Sequence, residues 1–170
     1  MEEKQLIKLA KAGDSDAFCI LYSKYKDRLY RYAFYRLGNH ADAEDAVSEC
    51  ILCAFQQIRH LKNEKAFPAW IFRILYCSCA AIIKKQSASK MEKELTFAEN
   101  ELAVSFDNVI QKTELQFALD KLNDDEREIV LLSSVAGFKS GEIAKIVDLT
   151  AGSVRSKLSR SLKKMKEFLE

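Results

Sequence analysis

One proline and five glycines punctuate 170 residues, and that scarcity constrains the fold more than any motif does. Between these breaks, apolar residues return every three or four positions and no run alternates apolar with polar side chains. That is the signature of helix faces, not of pleated strands. The expected fold class is all-α. Boundaries follow from residues that stop or start helices. Gly13, Asp14 and Ser15 divide a first helix from AFCILYSKYKDRLYRYAFYRL, which Gly38 and Asn39 end. Asn39 stands three positions before Asp42 and Asn123 three before Glu126. Each can cap a new helix through its side-chain oxygen, the second as a near capping box.

Composition shifts once. Residues 87–108, SASKMEKELTFAENELAVSFDN, are small, acidic and polar with a weak apolar period, as expected of a linker. They divide the chain into two small helical domains, 1–86 and 109–170, and carry too little apolar periodicity to fuse these into one core. Net charge is +4 over 1–86, −3 over the linker and +1 over 109–170. Within the last segment residues 149–166 hold six basic residues and no acid, so positive charge gathers on the final helix.

That helix follows a short one. EIAKIVDLTAGSVRSKLSR is an apolar segment that halts at Asp148, Leu149 and Thr150 and restarts with a basic, hydroxyl-bearing face, the layout of a helix-turn-helix. Thr150 can cap the second helix, and Gly152 keeps its first turn slim. Free N–H groups and the positive dipole end then face a phosphate. Ser153, Arg155, Ser156, Lys157, Ser159, Arg160 and Lys163 lie within reach of phosphates or base edges. A solvated amphipathic helix closing a bundle has the same charge pattern; the turn and cap favour DNA binding.

The stretch ALDKLNDDEREIVLLSSVAGFKSGEIAKIVDLTAGSVRSKLSRSLKKMKEFL resembles region 4 of bacterial RNA polymerase sigma factors, the domain that binds the promoter −35 element. GDSDAFCILYSKYKDRLYRYAFYRLGNHADAEDAVSECILCAF, with FPAWIFRIL beyond it, resembles their region 2. The two motif sets in this order, joined by a short linker, are similar to the small extracytoplasmic-function (ECF) group of the sigma-70 family. The resemblance implies a region 2 helical bundle at 1–86, a region 4 helix-turn-helix at 109–170, and a dissociable subunit that gives core polymerase its promoter specificity. A partner that shields it when idle, an anti-sigma factor, is implied as well.

NHADAEDAVSECILCAFQQI carries Asp42, Glu44, Asp45 and Glu49 in its first turns, where carboxylates suit the helix dipole. The resemblance makes Asp42, Asp45 and Glu49 the core polymerase contacts. A glutamine common in the family is Ser48 here, and a frequent basic position is Cys53. RHLKNEKAFPAWIFRILYCSCAAIIKKQ mixes basic residues with Phe67, Trp70, Phe72 and Tyr76, the mixture that stacks single-stranded bases and neutralises their backbone. Aromatics at helical spacing more often fill cores, and core packing is the favoured role for Trp70 and Phe72. The resemblance makes this the −10 site, with Lys62, Lys65, Trp70, Arg73, Tyr76, Cys77 and Lys84 as contacts beside a loop spanning His60 to Phe67. Cys77 and Ala81 replace the family's Asn and Asp, and Lys84 its arginine.

Five cysteines all lie before residue 80. Cys50 and Cys53 share a helix face while Cys77 and Cys79 point apart, so packed thiols fit better than zinc ligation with His40 and His60. The odd count and the absence of a secretion signal in MEEKQLIKLA predict reduced thiols and a cytoplasmic protein. Mean hydropathy is −0.19 and the most apolar stretch, 74–83, is short for a bilayer. No Ser/His/Asp set, phosphate-cradling glycine loop or carboxylate pair points to catalysis or a small-molecule substrate. No metal, no other cofactor and no enzymatic activity are expected. Three functions remain: a sigma factor, a helix-turn-helix regulator that does not replace the main sigma factor, and a helical metal-binding or catalytic protein.

Overall fold

The computed structural model describes residues 1–96 and 113–170. Among them stand eight α-helices and no strand: α1 Glu3–Lys11, α2 Ser15–Leu37, α3 His40–Gln57, α4 Phe67–Thr96, α5 Glu114–Asp120, α6 Asp124–Ser134, α7 Ser140–Val147 and α8 Ala151–Leu169. Two short 3-10 turns, Ile58–His60 and Glu64–Ala66, connect α3 to α4.

The expected helix signals act where they stand. Asp14 accepts from the Ala17 N–H at 3.0 Å to start α2, and Asn39 accepts from Asp42 at 2.8 Å to start α3. Between them Gly38 takes φ +84°, a left-handed conformation that ends α2 without the strain a side chain would bring. Asn123 and Glu126 form a reciprocal capping box at α6. Thr113 and Gln116 form another at α5. Each such cap contributes about 1 kcal/mol to its helix.

Helices α1–α4 make the N-terminal unit. Leu21 and Leu29 of α2, Ala46 and Cys50 of α3, and Ile71 and Leu75 of α4 are buried together, with Leu6 and Ile7 of α1 closing one side. The C-terminal unit is smaller. Ile129 and Leu132 of α6, Ile143 and Ile146 of α7, and Val154 of α8 fill it. A fully buried Leu or Ile contributes about 1.5–3 kcal/mol, so this short list carries much of the unit's cohesion.

Two features correct the sequence expectation. Helix α4 continues past Gln86 to Thr96, so the first part of the expected linker is helix; 97–108 lie outside the described residues. At this length α4 is, by length and composition only, long and apolar enough to cross a membrane. Its Ile71, Phe72, Leu75 and Cys79 are instead buried against protein. The second correction is that the two halves share a continuous buried core. Phe72 of α4 meets Phe138, in the loop before α7, edge to face at 5.0 Å between ring centres. The contact is made by α2 and α4 against α6 and α7, elements about which the composition of the linker carries no information.

Candidate nucleic-acid interface

Helix α7 ends because Asp148 turns left-handed, with φ +56° and ψ +45°. Asp and Asn tolerate this region better than other side-chain-bearing residues. Two residues later Thr150 accepts from the Ser153 N–H at 3.1 Å and starts α8. The stop therefore re-aims the chain within one short turn, which is the step a helix-turn-helix requires. Val154 and Met165 point into the unit. Arg155, Ser156, Ser159, Arg160 and Lys163 remain exposed along one side of α8, with exposed Thr150 at its start. Ser153 is half-buried. Lys157 is half-buried too and lies 3.8 Å from Asp125, so part of its charge is answered within the protein.

A node under α8 escaped the sequence reading. Glu126, nearly buried, accepts from the Asn123 N–H at 3.3 Å, from Ser161 Oγ at 3.3 Å and from Lys164 Nζ at 3.0 and 3.1 Å. Burial works to raise its pKa, but the Lys164 ammonium and the Asn123 and Ser161 bonds outweigh it and hold the carboxyl below its ordinary value. This ties α8 to α6 and fixes which face of α8 turns outward. The local capping pair was visible in the sequence; the partners 35 and 38 residues on were not.

The expected −10 residues separate into groups. Lys62, Trp70 and Arg73 line one open groove of about 410 Å³ together with His60, Asn63 and Ala69, and its far wall is Lys145 and Ile146 of α7. Phe72 is fully buried, whereas Trp70 is only half-buried at the rim. Helical spacing separates the two: Phe72 lies in the buried set with Ile71, Leu75 and Cys79, and Trp70 lies beside it. Tyr76 is half-buried with the guanidinium of Arg73 over its ring at 5.5 Å. Lys65 and Lys84 are exposed. Cys77 and Ala81 are also exposed but line a different groove, between α3 and α4, with Glu49 and Cys53. Cys50 and Cys79 behave as small core groups: both are buried, and burial pushes the Cys79 thiol up to about 12 and the Cys50 thiol higher. Among the described residues no three His, Cys, Asp or Glu side chains converge on a metal position.

On α3 the three expected carboxylates differ. Asp45 and Glu49 are exposed. Asp42 is half-buried and accepts from Asn39 Nδ2 at 2.6 Å and from Gln86 Nε2, so it braces the start of α3 as well. Leu52 and Phe55, which the sequence reading passed over, extend the face of Asp45 and Glu49 with apolar surface, 60% and 44% exposed.

The family models that match are Sigma-70 region 2, over residues 21–88, and Sigma-70 region 4, over 112–165; together they cover well over half of the chain. The chain is 31% identical to the ECF RNA polymerase sigma factor BldN of Streptomyces coelicolor, over 97% of its own length and 65% of that protein's. It spans 65% of the length of that relative, but 96% of the ECF sigma factor SigW of Bacillus subtilis, to which it is 26% identical over 98% of its own length. In fold it is similar to the sigma factor RpoE of Bartonella quintana, solved in complex with the anti-sigma factor NepR. The TM-score is 0.75 at 22% identity, over 89% of this chain and 96% of that one.

Proposed function

The chain belongs to the sigma-70 family of RNA polymerase sigma factors, in its ECF group, and from that premise we propose that it binds core polymerase and directs it to promoters in response to a signal. The observation that carries this is the coexistence, in one chain, of three surfaces of the required chemistry. An acidic and apolar face on α3 suits a polymerase contact through Asp45 and Glu49, with Asp42 at its base. A basic and aromatic groove on α4 suits single-stranded −10 DNA, with Lys62, Trp70 and Arg73 in the groove, and Lys65, Tyr76, Lys84 and, in the separate α3–α4 groove, Cys77 as further contacts. The exposed side of α8 suits the −35 major groove. The protein performs no chemistry in this scheme; the polymerase does. It works in the cytoplasm, where the polymerase is, and an anti-sigma factor holds it when idle, as the complex of the Bartonella relative supports.

The test is run-off transcription from genomic fragments with purified core polymerase. Discrete transcripts that core alone does not give are expected. A folded protein that binds promoter fragments but yields no such transcripts would leave the regulator reading in place of this one.

Cys77 and Ala81 supply a second test. Both are exposed, so Cys77→Asn with Ala81→Asp should change stability by no more than about 1 kcal/mol, the helix-propensity cost of Asn and Asp. Thermal melts read this. Permanganate footprints of the −10 thymines on the same preparations should show more open complex or a shifted −10 preference. Unchanged footprints with unchanged melts would remove both positions from the DNA contacts.

A further inference from the structure

Helix α1 buries Leu6, Ile7 and Ala10 and sets three lysines along one of its other sides: Lys4 and Lys8 are exposed and Lys11 is half-buried. At 3.6 residues per turn, positions 4, 8 and 11 fall within about 60° of one another around the helix axis. The helix packs against both 3-10 turns that join α3 to α4. Those turns and the residues between them add exposed Arg59, Lys62 and Lys65, and Glu64 is the one acid among them. The Glu64 carboxyl is held below its ordinary value, first by a backbone hydrogen bond at its own position and then, against the effect of burial, by the ammonium groups of Lys11, Lys8 and Lys4. The lysine stripe and the turns therefore share one surface. None of its six cations forms an ion pair among the described residues.

This surface is held firmly in place. Leu61 and Phe67, at either end of the second turn, are buried, and Phe67 meets the Tyr25 ring edge to face at 5.3 Å. The Tyr25 hydroxyl donates to Glu3 of α1 at 2.7 Å, and Asn63 accepts from the Lys65 N–H at 3.0 Å. A face that only meets water has no need of a single sign. Like charges one helical turn apart destabilise a helix, and Lys4 with Lys8 and Lys8 with Lys11 are two such pairs. A fixed field of one sign attracts a polyanion. Two features select DNA as that polyanion. The stripe from Lys4 to Lys11 is about 10 Å long, the length over which one strand of duplex DNA presents about three phosphates. Lys62 also lines the groove of Trp70, so the patch is continuous with the surface proposed for −10 DNA.

We propose that Lys4, Lys8 and Lys11 bind the phosphate backbone of promoter DNA next to the −10 segment, as a contact that senses charge and not sequence. The backbone leaves the Trp70 groove past Lys62 and Lys65 and crosses α1. This rests on the proposed −10 role of Lys62, Lys65 and Trp70.

The test uses holoenzyme, assembled from core polymerase and the full-length chain, on a fluorescein-labelled promoter fragment recovered by the run-off experiment. Fluorescence anisotropy gives Kd over a range of salt concentrations. Lys4→Gln with Lys8→Gln and Lys11→Gln removes three charges at little cost in helix propensity. It should lower the salt slope by about 2 to 3 units and weaken binding by about tenfold or more at physiological salt. Lys4→Arg with Lys8→Arg and Lys11→Arg should keep the wild-type slope. Both variants should rank single-base changes in the −10 segment as the wild type does. A glutamine variant with the wild-type slope overturns the proposal, as does an arginine variant that loses as much as the glutamine one. So does a glutamine variant whose deficit lies in its affinity for labelled core polymerase, because the stripe then faces an acidic protein surface. If circular dichroism shows that the triple glutamine variant has lost helix, Lys8→Gln alone carries the test, with an expected fall of about one unit in slope. A wild type that gives no transcripts with core polymerase overturns the function proposed above, and this contact with it; a wild-type slope in the glutamine variant overturns this contact alone.

Discussion

Reversing two charges, Asp45→Lys with Glu49→Lys, should weaken binding to core polymerase by about 2 to 4 kcal/mol, roughly 30- to 1,000-fold in Kd. The two carboxylates are one helical turn apart on α3 and exposed, and neither forms an ion pair among the described residues. Their field is therefore available to a basic partner, and lysines would turn attraction into repulsion. Folding has no comparable stake in them, so the double variant should keep its helicity and melt within about 0.5 kcal/mol of wild type. Fluorescence titration of labelled core polymerase gives the affinity. An unchanged Kd would move the contact off this face. Asp42 makes a poor substitute for the experiment: its bonds to Asn39 and Gln86 mean that its removal disturbs the cap of α3 and the end of α4 as well.

The difference between Asp42 and its neighbours shows what the sequence can and cannot disclose. Caps are local, three residues from cap to partner, and those expected at Asn39, Asn123 and Thr150 form. The break at Asp148 is local too, and only its left-handed geometry had to come from the structure. The family resemblance covered both halves for the same reason, since each motif set lies within one stretch of chain.

Burial of a charge has no local signature. Arg36 and Glu128 look like ordinary surface residues of amphipathic helices, and what buries them is a partner more than ninety residues away. The same holds for Arg73, whose basic character suggested DNA and whose guanidinium meets Asp148 in this conformation. A linker composition reports how the linker behaves; it does not report whether the surfaces of the joined units are complementary. Trp70 and Phe72 are an intermediate case, because counting helical positions from Leu75 and Cys79 separates a buried aromatic from one at a rim, and composition alone does not.

The outward face of α8 has no such long-range complication, and it gives the sharpest test of sequence recognition. Arg155 and Arg160 are exposed and form no ion pair among the described residues, on a helix held in place by Glu126 and started by Thr150. A bidentate arginine on guanine contributes roughly 1–3 kcal/mol of discrimination against the wrong base. Arg155→Ala and Arg160→Ala should therefore each relax preference at particular −35 positions, by about 5- to 150-fold at the affected base pair. Lys163, proposed as a phosphate contact, should behave differently: Lys163→Ala should weaken all promoters about equally and lower the salt slope by about one unit. Ser156 and Ser159, between the arginines, should have smaller effects of the first kind. Lys157 should fall below Lys163 in salt dependence, because Asp125 already answers part of its charge. The measurement is holoenzyme binding to a panel of single-base −35 variants at several salt concentrations. If both arginine variants keep the wild-type ranking of that panel, α8 supplies affinity without reading sequence, and the turn at Asp148 aims a phosphate-binding helix only.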